Sequence, residues 1–181
     1  MASIVEDLLN SFELVMKEPW SLSLSGQERI WFLVYDPAEQ RKVDLRMGDF
    51  ENSVKRANKK WVTISLKNCF PSWIANHEYR DEYFADPEVL VDQLEAEFKQ
   101  YAIKFLSDEL AKANPDDNTL SAVTGVSSLF GFARLSDVLN GCSTAFKGRL
   151  LIFFPGEYQK NHYRLLDARD GWSYLARPII G

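Results

Sequence analysis

Apolar positions along the chain fall into two alternating kinds of stretch. Ile30-Trp-Phe-Leu-Val-Tyr35 and Leu150-Leu-Ile-Phe-Phe154 are unbroken apolar runs without alternation, the mark of strands covered on both faces of a parallel sheet. Trp61–Leu66 reads as another strand, and Thr119–Thr124 as a weaker one. The stretches between them carry helical spacing. Over residues 3–17, Val5, Leu8, Phe12, Val15 and Met16 recur on one stripe behind Ser3, a good N-cap, and Pro19 ends the helix. Val43, Met47, Phe50, Val54 and Ala57 mark a helix over 38–59, weakened at Gly48 by about 1 kcal/mol relative to Ala.

Pro71 is expected to start a short helix toward His77, and 79–84 reads as an aromatic, charged link. Asp86 before Pro87 is a strong helix start. Leu90, Leu94, Phe98, Tyr101, Phe105, Leu106 and Leu110 then give the clearest amphipathic helix, which ends at the turn cluster 114–118. A further helix is expected from Ser136 or a residue near it through Leu139 toward Phe146, with Gly148 as its breaker. Pro155-Gly156 is expected to stop the last long strand. Tyr163–Leu166 and Trp172–Ile179 fit either short strands or irregular edge structure.

Each interval between the four main strands holds at least one helix, the spacing of right-handed βαβ crossovers between parallel neighbours. The expected fold is a three-layer α/β domain spanning 1–181. Its mainly parallel central sheet has four or more strands flanked by helices. Beyond Phe154 too little chain remains for a normal crossover, so the C-terminal segments should add antiparallel or wrap the sheet's edge.

Composition changes this picture little. The 181 residues suit one domain, large enough to bury roughly 70% of its unfolded surface. Net charge is −5, with 14 basic and 22 acidic side chains in 1–118 against seven basic and four acidic in 119–181. A nucleic-acid binder has a basic footprint; here only the last third offers a small one. Cys69 and Cys142 are too few for a disulfide framework and fit a reducing cytoplasm. Acids near the N-terminus argue against a signal peptide, and no apolar run reaches the ~20 residues of a membrane span.

Ligands of open parallel sheets sit beyond the C-terminal strand ends. Asp36, the turn Thr124-Gly-Val-Ser-Ser128 and Glu157 lie there. The turn lacks the Gly-Lys-[Ser/Thr] ending of a phosphate loop and the three-glycine dinucleotide pattern. Asp36 and Glu157 could pair as carboxylates, but Asp36 before Pro37 equally reads as a cap. His77 and His162 lack metal-ligand company, and neither cysteine has a visible activating base. No cofactor or metal is expected. The tail 156–172 mixes bases with aromatics, a composition that suits stacking on single strands, a protein interface, or an intramolecular edge cover with Tyr163, Leu165 and Trp172 inward. The acidic total favours a protein partner, with Gly156, Glu157, Tyr158, His162, Arg164 and Arg169 as the candidate contact residues.

Thr124-Gly-Val-Ser-Ser-Leu-Phe130, Leu150-Leu-Ile-Phe-Phe-Pro-Gly-Glu-Tyr158 and Tyr163-Arg-Leu-Leu-Asp-Ala-Arg-Asp-Gly-Trp172 resemble BrxB, a small-protein family of bacterial BREX phage-exclusion systems. The apolar strand into Tyr35-Asp36-Pro37 and His77-Glu-Tyr-Arg80 ahead of the long helix are similar in layout, so the likeness covers most of the chain. It implies a cytoplasmic, non-catalytic accessory protein that contacts the phosphatase-like PglZ component and supports host DNA methylation and phage exclusion. The family supplies no catalytic positions. Two other classes stay open: a degenerate nucleotide-binding or hydrolytic domain using 124–128 with Asp36 or Glu157, and a DNA-contacting accessory using the basic last third. Many family members carry a longer polar insertion after Pro-Gly-Glu-Tyr. Here Gln159-Lys-Asn161 leads directly to His162-Tyr163, which leaves the subtype and the direct partner open.

Overall fold

A computed structural model describes residues 3–168 and 171–181. In chain order the elements are α1 (Ile4–Met16), β1 (Ile30–Tyr35), α2 (Gln40–Leu45), α3 (Met47–Arg56), β2 (Lys60–Ser65) and α4 (Cys69–Ala75). They continue with α5 (Arg80–Ala85), α6 (Pro87–Gln93), a π turn (Leu94–Phe98), α7 (Lys99–Ala113), β3 (Thr119–Thr124) and α8 (Leu135–Gly141). Last come β4 (Arg149–Gln159), β5 (His162–Leu165) and β6 (Arg177–Ile180).

The strands form a sheet in the order β2-β3-β4-β1-β6, parallel throughout, with β5 antiparallel to β4. Helices cover both faces, giving the three-layer α/β fold the pattern predicts. β1 and β4 are the central pair, in register from Ile30↔Leu150 to Tyr35↔Pro155. Their side chains alternate between two cores. Phe32, Ile152 and Phe154 face Ala102, Leu106 and Leu110 of α7 and Val138 and Leu139 of α8. Trp31, Leu33, Leu151 and Phe153 face Leu8 and Phe12 of α1 and Phe50 and Val54 of α3. Every residue of β1 is buried, as the absence of polar alternation requires.

Local signals explain several boundaries. Ser3 Oγ accepts from the Glu6 N–H at 3.2 Å, with Glu6 and Asp7 in the first turn of α1. Asp86 Oδ1 accepts from the Glu88 N–H ahead of Pro87. Asn114 closes α7 in the left-handed region, φ 47°.

Elsewhere the chain departs from its local pattern. Residues 38–59 make two helices broken at Arg46, which puts Gly48 in a first turn rather than mid-helix. α4 starts at Cys69, two residues before Pro71, because a first-turn proline has no intrahelical N–H bond to lose. Within the expected link over 79–84 the chain is instead helical, as α5, around one buried anchor, Tyr83. α8 begins at Leu135, where expected, but stops at Gly141, short of Phe146. The largest departure is β4, which does not stop at Pro155-Gly156 but runs to Gln159. β5 adds antiparallel as expected, while β6 joins in parallel on the far side of β1.

Candidate functional site

The connection after β1 leaves across the α3 face and the one after β3 across the α8 face, so the chain reverses at the β1–β4 pair. Such reversals open a crevice beyond the C-terminal strand ends. A cavity of about 460 Å³ lies at this end, edged by Gln40, Asp44, Lys67, Ser127, Ser128 and Pro155. Of the three candidates at the strand ends, only the 124–128 turn lines it.

The turn is shaped by Gly125 at φ +73°, where an added Cβ would come within 2.9 Å of the Lys67 backbone nitrogen. Ser128 Oγ sits 2.7 Å from both Leu66 O and Gly125 O, so its hydroxyl proton is spent joining the end of β2 to the turn. Across the cavity, the Tyr35 hydroxyl donates to Gln40 Oε1 at 2.8 Å and Gln40 Nε2 donates to Asp44 Oδ1 at 2.8 Å. Burial pushes the Tyr35 phenol well above its ordinary range, so it stays a donor. Lys67 is exposed and has no carboxylate within ion-pair distance among the described residues. Sequence reasoning passed over it; the available signal was a base one residue beyond the apolar end of β2.

Asp36 is a cap, its Oδ1 accepting from the Ala38 N–H at 2.8 Å. Glu157 instead lies on the hairpin formed by the end of β4 and β5. From Gly156 onward β4 exchanges β1 for β5, pairing Gly156↔Leu165, Glu157↔Arg164, Tyr158↔Tyr163 and Gln159↔His162. Gly156 permits the exchange: a Cβ there would stand 2.1 Å from Arg164 O. Pro155 lacks the N–H a ladder needs but still accepts from the Leu166 N–H at 2.9 Å. Lys160 (φ 50°) and Asn161 (φ 64°) form the two-residue tip, both left-handed as a type I′ turn requires.

Alternation then divides the hairpin into two faces. Inward, Tyr163 is fully buried, donates its hydroxyl to Ala176 O at 2.6 Å and packs edge-on against Phe32 at 4.5 Å between centroids. Tyr158 lies opposite Tyr163, rings 4.7 Å apart, and donates to Asn161 Oδ1 at 3.0 Å. Leu165 is buried and Trp172, half-buried, bridges to Tyr163. The inward side is thus an intramolecular cover. Outward stand Glu157, His162 and Arg164, all exposed, with the Arg164 guanidinium 3.7 Å from the Glu157 carboxylate. His162 Nδ1 lies 2.8 Å from Lys160 O, a contact that requires a proton on Nδ1.

Of the candidate contact residues, Glu157, His162 and Arg164 come together on this outward row. Tyr158 is half-buried behind it. Gly156 is buried and shapes the hairpin rather than offering surface, because Arg164 O closes over it. Arg169 lies outside the described residues.

His77 and the two cysteines are held within the fold. His77 Nδ1 accepts from the Tyr79 N–H at 3.1 Å, which leaves the Nε2 proton to be donated to Glu97 Oε2 at 2.9 Å. Cys69 and Cys142 are buried; burial raises the Cys69 thiol to about 12 and also raises that of Cys142. Such thiols are poor nucleophiles at neutral pH. Among the described residues, no group of three or more His, Cys, Asp or Glu side chains is placed to hold a metal ion. None of their helices is long and apolar enough to cross a membrane.

What these features define is an open, parallel three-layer α/β sheet with a cavity at its C-terminal edge and an antiparallel hairpin beside it. No protein-family model, curated protein or solved structure matches this chain.

Proposed function

We propose that the chain is a non-catalytic adaptor of a bacterial BREX phage-exclusion system. It acts in the cytoplasm through protein contacts, with PglZ as its direct partner, and supports host methylation and phage exclusion without gripping DNA itself. The sequence motifs supply the system. The observation that supports the mode of action is the outward row Glu157, His162 and Arg164 on a hairpin locked from behind by Tyr163. An exposed ion pair such as Glu157–Arg164 contributes only about 0–1 kcal/mol to a fold, so exchanging it for a partner's charges costs the fold little. Arginine on a rigid support is a common energetic anchor of interfaces.

Co-purification of the intact chain with PglZ tests this reading. Arg164→Glu and Glu157→Arg should each weaken the complex at least tenfold while leaving far-ultraviolet dichroism unchanged. A purified PglZ that ignores the wild-type chain at micromolar concentration, or binds both variants equally well, defeats it.

A second reading has its own observation. Lys67 and the 124–128 turn edge a cavity where α/β sheets hold ligands, which supports a degenerate nucleotide- or phosphate-binding domain. Calorimetry with ATP or GTP and magnesium decides it: heat abolished by Lys67→Met is the supporting result, and silence at millimolar nucleotide disposes of it.

A further inference from the structure

On the α7 face, far in sequence from the hairpin, residues 78–97 combine two features that a free surface seldom combines. The first is apolar exposure. Phe84 is 67% exposed, Val91 62% and Val89 50%, with Tyr79 alongside. α5 and α6 are separated by Asp86 alone and contact each other. α6 has no fully buried residue, although it carries Val89, Leu90 and Val91. The second is charge: these twenty residues contain eight acids and one base.

Part of that charge is spent locally. Asp86 caps α6, Glu95 pairs with Lys99 and Asp81 with Arg80, and Glu97 accepts a hydrogen bond from His77 Nε2. Glu78, Glu82, Glu88 and Asp92 make no ion pair among the described residues. Folding alone explains neither feature. Exposed Phe and Val gain nothing from the core, and like charges on adjacent short helices repel. The segment nonetheless has a firm base, because Tyr83 is buried with its ring 4.9 Å from that of His77. A π turn, a form that recurs at functional positions, joins it to α7.

We infer that the outer surface of α5–α6 is a docking face for a basic amphipathic segment of another protein. The partner's apolar side chains would cover Phe84, Val89 and Val91, and its Lys or Arg residues would meet Glu82, Glu88 and Asp92. Charge complementarity selects this occupant. DNA, RNA and anionic membrane surfaces are polyanions and are repelled by a segment of net charge −7. The face shares no residue with the Glu157–Arg164 row and goes beyond the BREX reading, holding whether or not PglZ is the partner of the hairpin.

The full-length protein is titrated with a Lys/Leu amphipathic helical peptide and, separately, with a Glu/Leu peptide of the same apolar face, a DNA duplex and phosphatidylserine vesicles. Only the Lys/Leu peptide should bind, with amide-exchange protection confined to the α5–α6 segment. Phe84→Ser should weaken that binding at least ~tenfold. Each of Glu82→Gln, Glu88→Gln and Asp92→Asn should weaken it about two- to threefold, and affinity should fall as salt rises. Val91→Ser serves as a second apolar variant should Phe84→Ser lose its native dichroism. The inference is overturned if the peptide fails to bind, if it binds Phe84→Ser and Val91→Ser as tightly as wild type, if protection appears elsewhere, or if the acidic peptide, DNA or vesicles bind equally. A concentration-dependent dimer abolished by Phe84→Ser would overturn it too, assigning the face to a second copy.

Discussion

β1 and β2 are both six-residue parallel strands, yet they are held by different means. β1 lies between β4 and β6, buried on both faces, with Phe32 touching the rings of Phe154, Tyr163, Trp172 and Tyr174. β2 is an outer strand on which only Ile64 is fully buried. Its start is fixed by surface polar contacts, from Lys60 to Asp116 and from Lys59 to Asn118. Packing sets the centre of this sheet and polar contacts trim its rim. The charged lysines also discourage another chain from adding to the exposed edge.

The contrast can be broken most forcefully at its centre. Phe32→Ala should cost about 3–5 kcal/mol, read as a lower urea midpoint with an unchanged slope. A loss under about 1 kcal/mol would mean the aromatic cluster is not the keystone described. Next comes Gly156→Ala, whose methyl collides with Arg164 O and the Phe154 ring. We expect a loss of about 1–3 kcal/mol together with faster amide exchange along β5.

At the rim the effects shrink. Hydrogen bonds from Lys60, then from Thr119 and the Asn118 N–H, lower the Asp116 carboxyl from 3.8 to about 2. The native form therefore binds its proton more weakly than the unfolded chain does. Its contribution is complete above the unfolded value and disappears as pH falls through the folded one. Asp116→Asn should flatten the stability curve between pH 4 and 2; an unaltered acid limb would show that Lys60 does not hold this carboxylate. Smallest of all, Phe84→Ser should change stability by no more than about 0.5 kcal/mol, because a side chain that exposed supports no core. A large loss would mean that α5 packs more tightly than its exposure indicates.

The same division governs what could be read ahead of the structure. β1 and the first half of β4 were legible because residues buried on both faces leave no polar alternation. β3 looked weaker through its Ser and Thr, yet it is buried almost end to end, since a central position overrides modest propensity. Pro155-Gly156 misled for a physical reason. Proline's missing N–H is visible in a sequence, but the neighbouring strand that makes the missing bond harmless is not. The glycine that looks like a stop is needed for close approach to Arg164 O. Residues 79–84 read as a link because their apolar side chains face out as well as in, blurring the stripe that marks a helix. At the candidate site the 124–128 turn and the outward charges of 157–164 were legible. The company Lys67 keeps with that turn was not, because it depends on β2 lying beside β3.

The two-residue tip of the hairpin has a consequence for how chains of this design can vary. Lys160 and Asn161 are exposed and sit beyond the last paired residues. Adding one residue to each arm would carry the tip outward by about 3.4 Å without moving a single core atom. The length of this hairpin therefore sets how far its tip stands from the sheet, independently of the strands that anchor it.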